Sequence, residues 1–320
     1  MQQLIPFEKG LSVVIPVYKS EKILPFLVES LKKSLNALGE DYEVILVVDG
    51  SPDGSWGKIL ELRRNYAWLR GIHLMRNYGQ HNALLQGIRA ATYDTIITMD
   101  DDLQHPPKEI HKLLAELEKG YDVVYGYPEK ETHLLWRNFS SRLMKQILRI
   151  SLGVVGIEKS GAFRAFRTSL RNGFADYSSS FISIDVLLTW GTTRFGYIPV
   201  QHASRKEGDS NYTFRKLILH TFNLITGFST LPIQLASWLG FGLTFFGLGI
   251  FLYVIIRFFL QGSPVPGFPF LASIIAIFSG AQLFAMGIFG EYLSRMYFRL
   301  MGKPQSLIRD EVGFQHKKEE

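Results

Sequence analysis

The sequence predicts an α/β fold with a mostly parallel sheet, followed by a two-helix transmembrane hairpin. Three observations carry this expectation. Short apolar runs alternate with helical segments at βαβ spacing from Leu11 to Gly126. Carboxylates gather where two of those runs end, at Asp49 and at Asp100, Asp101 and Asp102. No Asp, Glu, Lys or Arg falls between Lys216 and Arg257, and the next formal charge after Arg257 is Glu291.

Leu11-Ser-Val-Val-Ile-Pro16 reads as a buried strand, and Leu24, Leu27, Leu31, Leu35 and Leu38 then recur at helical spacing. Tyr42 to Val48 is a second strand running into the turn-rich segment Asp49-Gly-Ser-Pro-Asp-Gly54. A helix from Trp56, a strand from Leu69 to Leu74 and a helix from Gln80 to Ala91 lead into an apolar run, Thr95 to Met99. Beyond Pro107, Ile110, Leu113, Leu114 and Leu117 make an amphipathic helix ahead of the strand Asp122 to Gly126.

Three carboxylates at the end of a buried strand require partners. Ligands of open α/β sheets bind off the carboxyl ends of the strands, and clustered hard oxygens suit Mg2+ or Mn2+ bridging to substrate phosphates. The triplet therefore points to a nucleotide-diphosphate site. The alternative is a solvated turn with Asp102 as the N-cap ahead of Pro106 and Pro107. Asp49 is placed to accept from a base N–H or a ribose hydroxyl, or else to close an Asx-turn. Arg76-Asn-Tyr-Gly-Gln-His-Asn82 is a polar βα loop in which Arg76 or His81 can meet phosphate or sugar.

The absence of cysteine removes disulfides, thiol nucleophiles and zinc-thiolate sites. A net charge of +6 suits a surface facing anionic lipid; no nucleic-acid partner is expected. Met1 to Gly10 has no apolar signal-peptide core, so residues 1–212 are expected to stay cytoplasmic. Trp136 to Leu152 interleaves Arg137, Arg142, Lys145 and Arg149 with apolar side chains. Such a segment suits a membrane surface, the alternative being a solvated helix face.

A spanning helix needs about 20 apolar residues. Both uncharged runs exceed that, and Gln261-Gly-Ser-Pro-Val-Pro-Gly267 separates them into spans at about 230–258 and 268–294. Residues 213–228 are expected as a juxtamembrane helix and 301–320 as a polar, loosely held tail. Arg215, Lys216, Arg295, Arg299 and Lys303 flank the open ends against Arg257 near the loop, which puts both termini in the cytoplasm. Glycines in both spans allow close helix packing within or between protomers.

These pieces together resemble the membrane-bound polyprenyl-phosphate glycosyltransferases of glycosyltransferase family 2: bactoprenol glucosyltransferases, undecaprenyl-phosphate aminoarabinose transferases and dolichol-phosphate mannose synthases. The matching stretches are Val13-Val-Ile-Pro-Val-Tyr18, Val48-Asp-Gly-Ser51, Arg76 to His81, Met99-Asp-Asp-Asp-Leu-Gln104 with Pro106 and Pro107, Arg164-Ala-Phe-Arg167, Arg205 to Ser210, and Gly290-Glu-Tyr292 with Arg295. Four departures stand out: Lys19-Ser20 for Asn-Glu, Val48 for the first of two Asp, Asn211 for Lys, and no Arg between Tyr127 and Lys130.

The resemblance implies a GT-A catalytic domain that binds a nucleotide sugar and passes the sugar, with inversion, to a polyprenyl phosphate at the inner membrane. It implies Asp100 and Asp102 as the D-x-D pair holding Mg2+ or Mn2+, with Gln104 in the metal shell. Pro16, Tyr18, Asp49, Arg76, Gln80, His81, Asp101 and Arg164 would line the nucleotide-sugar site, Arg164 being able to serve either phosphate. Arg137, Ser141 and Arg205 would hold the lipid phosphate. Asp185 is the candidate for a base or an acceptor-orienting carboxylate, against the plainer reading of a helix-start residue. UDP-glucose is the expected donor, with aminoarabinose or mannose transfer as the alternative. A tetramer is the expected oligomer. A processive polysaccharide synthase lacks its Gln-x-x-Arg-Trp motif here, and a non-catalytic nucleotide-sugar sensor would not need the intact acidic triplet.

Overall fold

A computed structural model describes residues 7–129, 159–178, 182–202, 226, 230–261, 267–302 and 304–314. The chain divides into two units, one holding Met1–Tyr212 with Lys303–Glu320 and the other Thr213–Gly302.

In the first unit β1 (Glu8–Val17), β2 (Tyr42–Val48), β3 (Leu69–Leu74) and β4 (Tyr93–Thr98) run parallel in the order β3-β2-β1-β4. The crossovers are α1 (Leu24–Asn36), α2 (Ser55–Arg63) and α3 (Gln80–Ala90). Val44 to Val48 are all fully buried, as a parallel strand covered on both faces demands. α1 starts with a proline in its first turn and buries Leu24, Leu27, Val28, Leu31 and Leu35 along one stripe. Burying each such leucine contributes about 1.5–3 kcal/mol.

The strand order turns back at β1, because β4 joins the side of β1 away from β2. Val17 lies opposite Val48 and Val14 opposite Thr98, so the ends of β1, β2 and β4 open into one crevice at the topological switch point. Beyond β4 the sheet changes character. β6 (Arg164–Arg167) runs antiparallel between β4 and β5 (Val123–Pro128), and β7 (Phe195–Val200) lies parallel to β5. α4 (Ile110–Glu118) and α5 (Ile184–Gly191) complete the described helices of this unit.

The expectation of a loosely held tail is corrected by β8 (Ile308–Val312), which pairs antiparallel with β3 and covers an edge that would otherwise stay open. Only the fold brings that edge to the tail, and Arg309-Asp310-Glu311 hides the strand from a hydropathy reading. The lock extends beyond the ladder. Met75 donates its N–H to the Leu307 carbonyl at 2.9 Å, and Arg70, paired with buried Glu43, lies 3.8 Å from the Phe314 ring. Gln305 accepts from Arg89 at 2.9 Å and donates to the Tyr177 carbonyl at 2.7 Å.

The second unit contains α6 (Leu231–Gln261, 31 residues) and α7 (Phe268–Leu300, 33 residues). Among the described residues, one helix is long and apolar enough to cross a membrane, Leu231–Leu260. Its large side chains turn away from the chain, Phe245 at 70% and Phe259 at 82% exposure. α7 carries Glu291 and Arg295 one turn apart, and they pair at 2.7 Å as the spacing predicts. The basic segment 136–152 lies outside the described residues, as does 213–228 apart from Thr226.

Truncation of the full-length protein after Gly302 should lower its melting temperature by several degrees and speed amide exchange in Leu69–Leu74, leaving β1 protected. Exchange by mass spectrometry checks this; unchanged protection of β3 would mean that β8 contributes nothing to the sheet.

Candidate active site

The acidic triplet divides its labour by direction. Asp101 turns inward, accepting the Tyr18 N–H at 3.3 Å and the Ser20 hydroxyl, and so ties the end of β4 to the end of β1. Burial pushes its carboxyl up from the usual range, and the Ser20 and Tyr18 hydrogen bonds partly offset that. Asp100 and Asp102, on either side, are half-buried and take other partners. Asp100 accepts from the Gln80 side-chain amide at 2.6 Å, and Asp102 accepts the Gln104 N–H at 3.1 Å in an Asx-turn that carries Leu103 at φ 58°. The short 3-10 turn Pro107–Glu109 starts from Pro106 without a side-chain cap, so Asp102 is not its N-cap.

Asp49 is buried and makes neither an Asx-turn nor an open ligand surface. Its two oxygens accept the N–H groups of Tyr78 at 2.7 Å and Gly79 at 2.8 Å. Burial raises its pKa against the opposing effect of those two amides. The bend they hold needs Gly79 at φ 94°. Gly50 is equally constrained: at φ 57°, a Cβ there would stand 2.2 Å from the Arg76 carbonyl carbon. The loop from Arg76 to Gly79 is thereby fixed over the end of β2, with the Arg76 guanidinium 4.6 Å from the Tyr78 ring.

At the start of α3, His81 Nδ1 accepts the Ile184 N–H at 3.4 Å, which joins the N-termini of α3 and α5 beside the crevice. Tyr18, 45% exposed, presents its ring at the rim, while Pro16 stays within buried β1. The Lys19-Ser20 departure has a structural use. Lys19 N–H donates to Ser51 Oγ at 2.7 Å, Ser20 N–H to Ser55 Oγ at 3.1 Å, and the Ser20 hydroxyl reaches Asp101.

Arg164 does not offer itself to a substrate phosphate. Its side chain is 1% exposed, pairs with Asp185, and donates through Nε to Thr98 Oγ1 at 2.8 Å. A guanidinium enclosed in this way has its charge and fork geometry committed inside the protein. Asp185 does lie in the first turn of α5, behind Ser183, and its carboxylate is turned toward Arg164. Ser20 and Thr98 escape a sequence reading because their partners, Asp101 and Arg164, are far away in the chain.

His105 stacks on Phe163 at 5.2 Å and meets His202 edge-on at 4.9 Å. Burial, and then the neighbouring imidazole, push its pKa down to about 4, so the ring is neutral at pH 7. No group of three His, Asp or Glu side chains converges on one metal position among the described residues. Mg2+ and Mn2+ do not require one, since substrate phosphates and water complete a site of one or two carboxylates. Asp100 and Asp102, with Gln104 two residues on, supply oxygen donors of the type such an ion takes. Arg137, Ser141 and Arg205 lie outside the described residues.

A parallel sheet with a carboxylate pair at its switch point, an antiparallel strand beside it and an N-terminal crossover loop held over the crevice define a GT-A glycosyltransferase. Residues 12–174 match the model of glycosyl transferase family 2, and the chain belongs to that family. It is 34% identical over 303 residues, 93% of this chain and 91% of the relative, to the undecaprenyl-phosphate 4-deoxy-4-formamido-L-arabinose transferase of Shewanella sediminis (strain HAW-EB3). In fold it resembles the glucosyl-3-phosphoglycerate synthase of Mycobacterium tuberculosis solved with Mn2+, UDP-glucose and phosphoglyceric acid. There the TM-score is 0.52 at 17% identity, over 68% of this chain and 78% of that one.

Asp49→Asn leaves one backbone N–H facing an amide donor, a loss of about 1–3 kcal/mol at a buried group. The expected result is a roughly tenfold or greater rise in nucleotide Kd by calorimetry with UDP, with β2 still protected from exchange. Unchanged affinity would show that the 76–79 loop does not shape the nucleotide pocket.

Proposed function

We propose that the protein transfers 4-deoxy-4-formamido-L-arabinose, or the related aminoarabinose, from a UDP-sugar to undecaprenyl phosphate at the cytoplasmic face of a membrane. The observation that carries this reading is the reach of the similarity to the Shewanella transferase. It runs over 93% of the chain, well past the 12–174 family match and through the long apolar helices. Glucose from UDP-glucose, the donor first expected from the motifs, becomes the second reading.

The chemistry follows from the acceptor. A sugar hydroxyl needs a general base, whereas a phosphate monoester with a second pKa of about 6 is already largely ionised near neutrality. Orientation and charge stabilisation are then the main requirements. Asp100 and Asp102 hold Mg2+ or Mn2+, which when bound offsets the charge of the departing diphosphate. Gln80 keeps Asp100 in place, and Asp101 holds the whole turn against β1. Asp49 fixes the loop that closes over the nucleotide, and the Tyr18 ring borders it. Arg137, Ser141 and Arg205 receive the lipid phosphate in this scheme, on the strength of the family resemblance. Attack from the face opposite the diphosphate inverts the anomeric carbon.

The membrane topology has its own support. β8 pairs with β3, so the chain returns after Gly302 to the side it left before Thr213. On this reading the chain crosses the membrane an even number of times between them. With α6 as one crossing, α7 supplies the second, and its Glu291–Arg295 pair reduces the cost of carrying charge near the membrane boundary.

The test is label transfer from UDP-linked formamidoarabinose, aminoarabinose, glucose and mannose to undecaprenyl phosphate, by the full chain in detergent, with Mg2+ or Mn2+ and an EDTA control. Metal-dependent labelling from an arabinose donor is expected. Labelling from UDP-glucose alone would reverse the order of the two readings. Asp100→Asn and Asp102→Asn should each lower kcat by about 100-fold or more, and full activity in either would sink the metal assignment.

A further inference from the structure

Arg164 occupies an unusual place for a charged side chain. It sits on β6 directly opposite Thr98 of β4 on one side and Tyr125 of β5 on the other. Its Nε donates to Thr98 Oγ1 at 2.8 Å, and Thr98 in turn donates to the Ala162 carbonyl at 2.7 Å. Its terminal nitrogen pairs with Asp185, and the guanidinium lies 6.0 Å from the ring centroid of buried Tyr125. A buried charge this well satisfied is held in one geometry, since any departure leaves it unpaired.

The partners give that rigidity a use. Thr98 lies two residues before Asp100, so one end of the Arg164 side chain is anchored to the strand that aims the carboxylate pair. Asp185 is in the first turn of α5, whose leading amide, Ile184 N–H, donates to His81 Nδ1 at 3.4 Å. Next to His81, Gln80 donates to Asp100 at 2.6 Å. The contacts close a ring: Asp100, Gln80, His81, Ile184, Asp185, Arg164, Thr98 and back along β4 to Asp100. Asp185, with 19% of its side chain exposed, is the partly open member of its pair with Arg164.

We propose that Arg164 is a positioning residue for sugar transfer, a buried strut that fixes Asp185 and the N-terminus of α5 relative to Asp100 and Asp102. Its role is in the turnover step and not in donor binding. The proposal builds on the transferase reading above, with Asp185 as the carboxylate that orients the acceptor. Neutralising Asp185 from behind also lowers the repulsion that a second anion would meet on entering beside the diphosphate.

The test uses the full-length protein in detergent and has two independent readouts. By hydrogen–deuterium exchange, Arg164→Met should speed exchange at residues 184–188 and 98–102 and leave β2 as in the unaltered chain. Unchanged exchange in both segments overturns the proposal. In the transfer assay, Arg164→Met should lower kcat by about 100-fold, the cost of a misplacement of about 1 Å, with the donor KM within about threefold of its starting value. A raised donor KM with kcat preserved would make Arg164 a donor contact and overturn the proposal.

Arg164→Met with Asp185→Asn removes both charges, so the melting temperature should recover above that of either single variant while kcat stays low. If kcat recovers with stability, the role is merely structural and the proposal fails. Should Arg164→Met not fold, the isosteric Thr98→Val removes only the strut's anchor on β4; an expected loss of about fivefold or more in kcat decides, and an unchanged kcat overturns it. An inactive unaltered protein would count against the transferase reading alone, since the exchange experiment still decides whether Arg164 couples the two segments.

Discussion

The end of β4 must turn three consecutive carboxylates away from the core, and it does so by committing the middle one. Asp101 accepts from Tyr18 N–H and the Ser20 hydroxyl across the switch point, so the penalty of burying its charge is partly offset. Its neighbours take separate partners, Asp100 the Gln80 amide and Asp102 the Gln104 N–H. The arrangement of the D-x-D pair proposed to hold the metal thus follows from how β4 is fastened to β1 through Asp101.

The same logic recurs around the crevice. Asp49 satisfies two loop amides, Asp101 two donors from the β1 loop, and Asp185 a buried guanidinium. Each of these carboxylates was legible as a candidate ligand, and each carries protein structure instead of, or before, any substrate. Preorganisation of this kind keeps polar groups fixed in advance of binding, which is where most electrostatic catalysis originates. It also explains why Lys19-Ser20 can replace a more usual pair: the backbone of this loop is held by Ser51 and Ser55, and Ser20 supplies the link to Asp101.

The segment Thr213–Gly302 is inserted between the two parts of the first unit, Met1–Tyr212 and Lys303–Glu320. A chain that left through α6 without returning would leave β3 with an open edge, a liability for association between sheets. β8 removes that edge, and Gln305 and Phe314 add side-chain contacts to α3, the 175–177 segment and Arg70. The loop before α3 is therefore held from two directions, by Asp49 beneath and by Leu307 against Met75.

The parallel core, the apolar runs and the location of the acidic cluster were determined by the sequence alone, because periodicity and charge clustering are local signals. Alternating strands and helices placed Asp49 and Asp100 at strand ends without any knowledge of tertiary contacts. Tertiary structure decided the rest: that β6, only four residues long, inserts antiparallel beside β4; that the tail forms β8; that Asp101 fastens β4 to the loop after β1; and that Arg164 is a buried strut and not an open phosphate contact. These features depend on pairs such as Ser20 with Asp101, Arg164 with Asp185 and Met75 with Leu307. Their members are separated along the chain by whole secondary-structure elements, so only the closed sheet brings them within hydrogen-bonding distance.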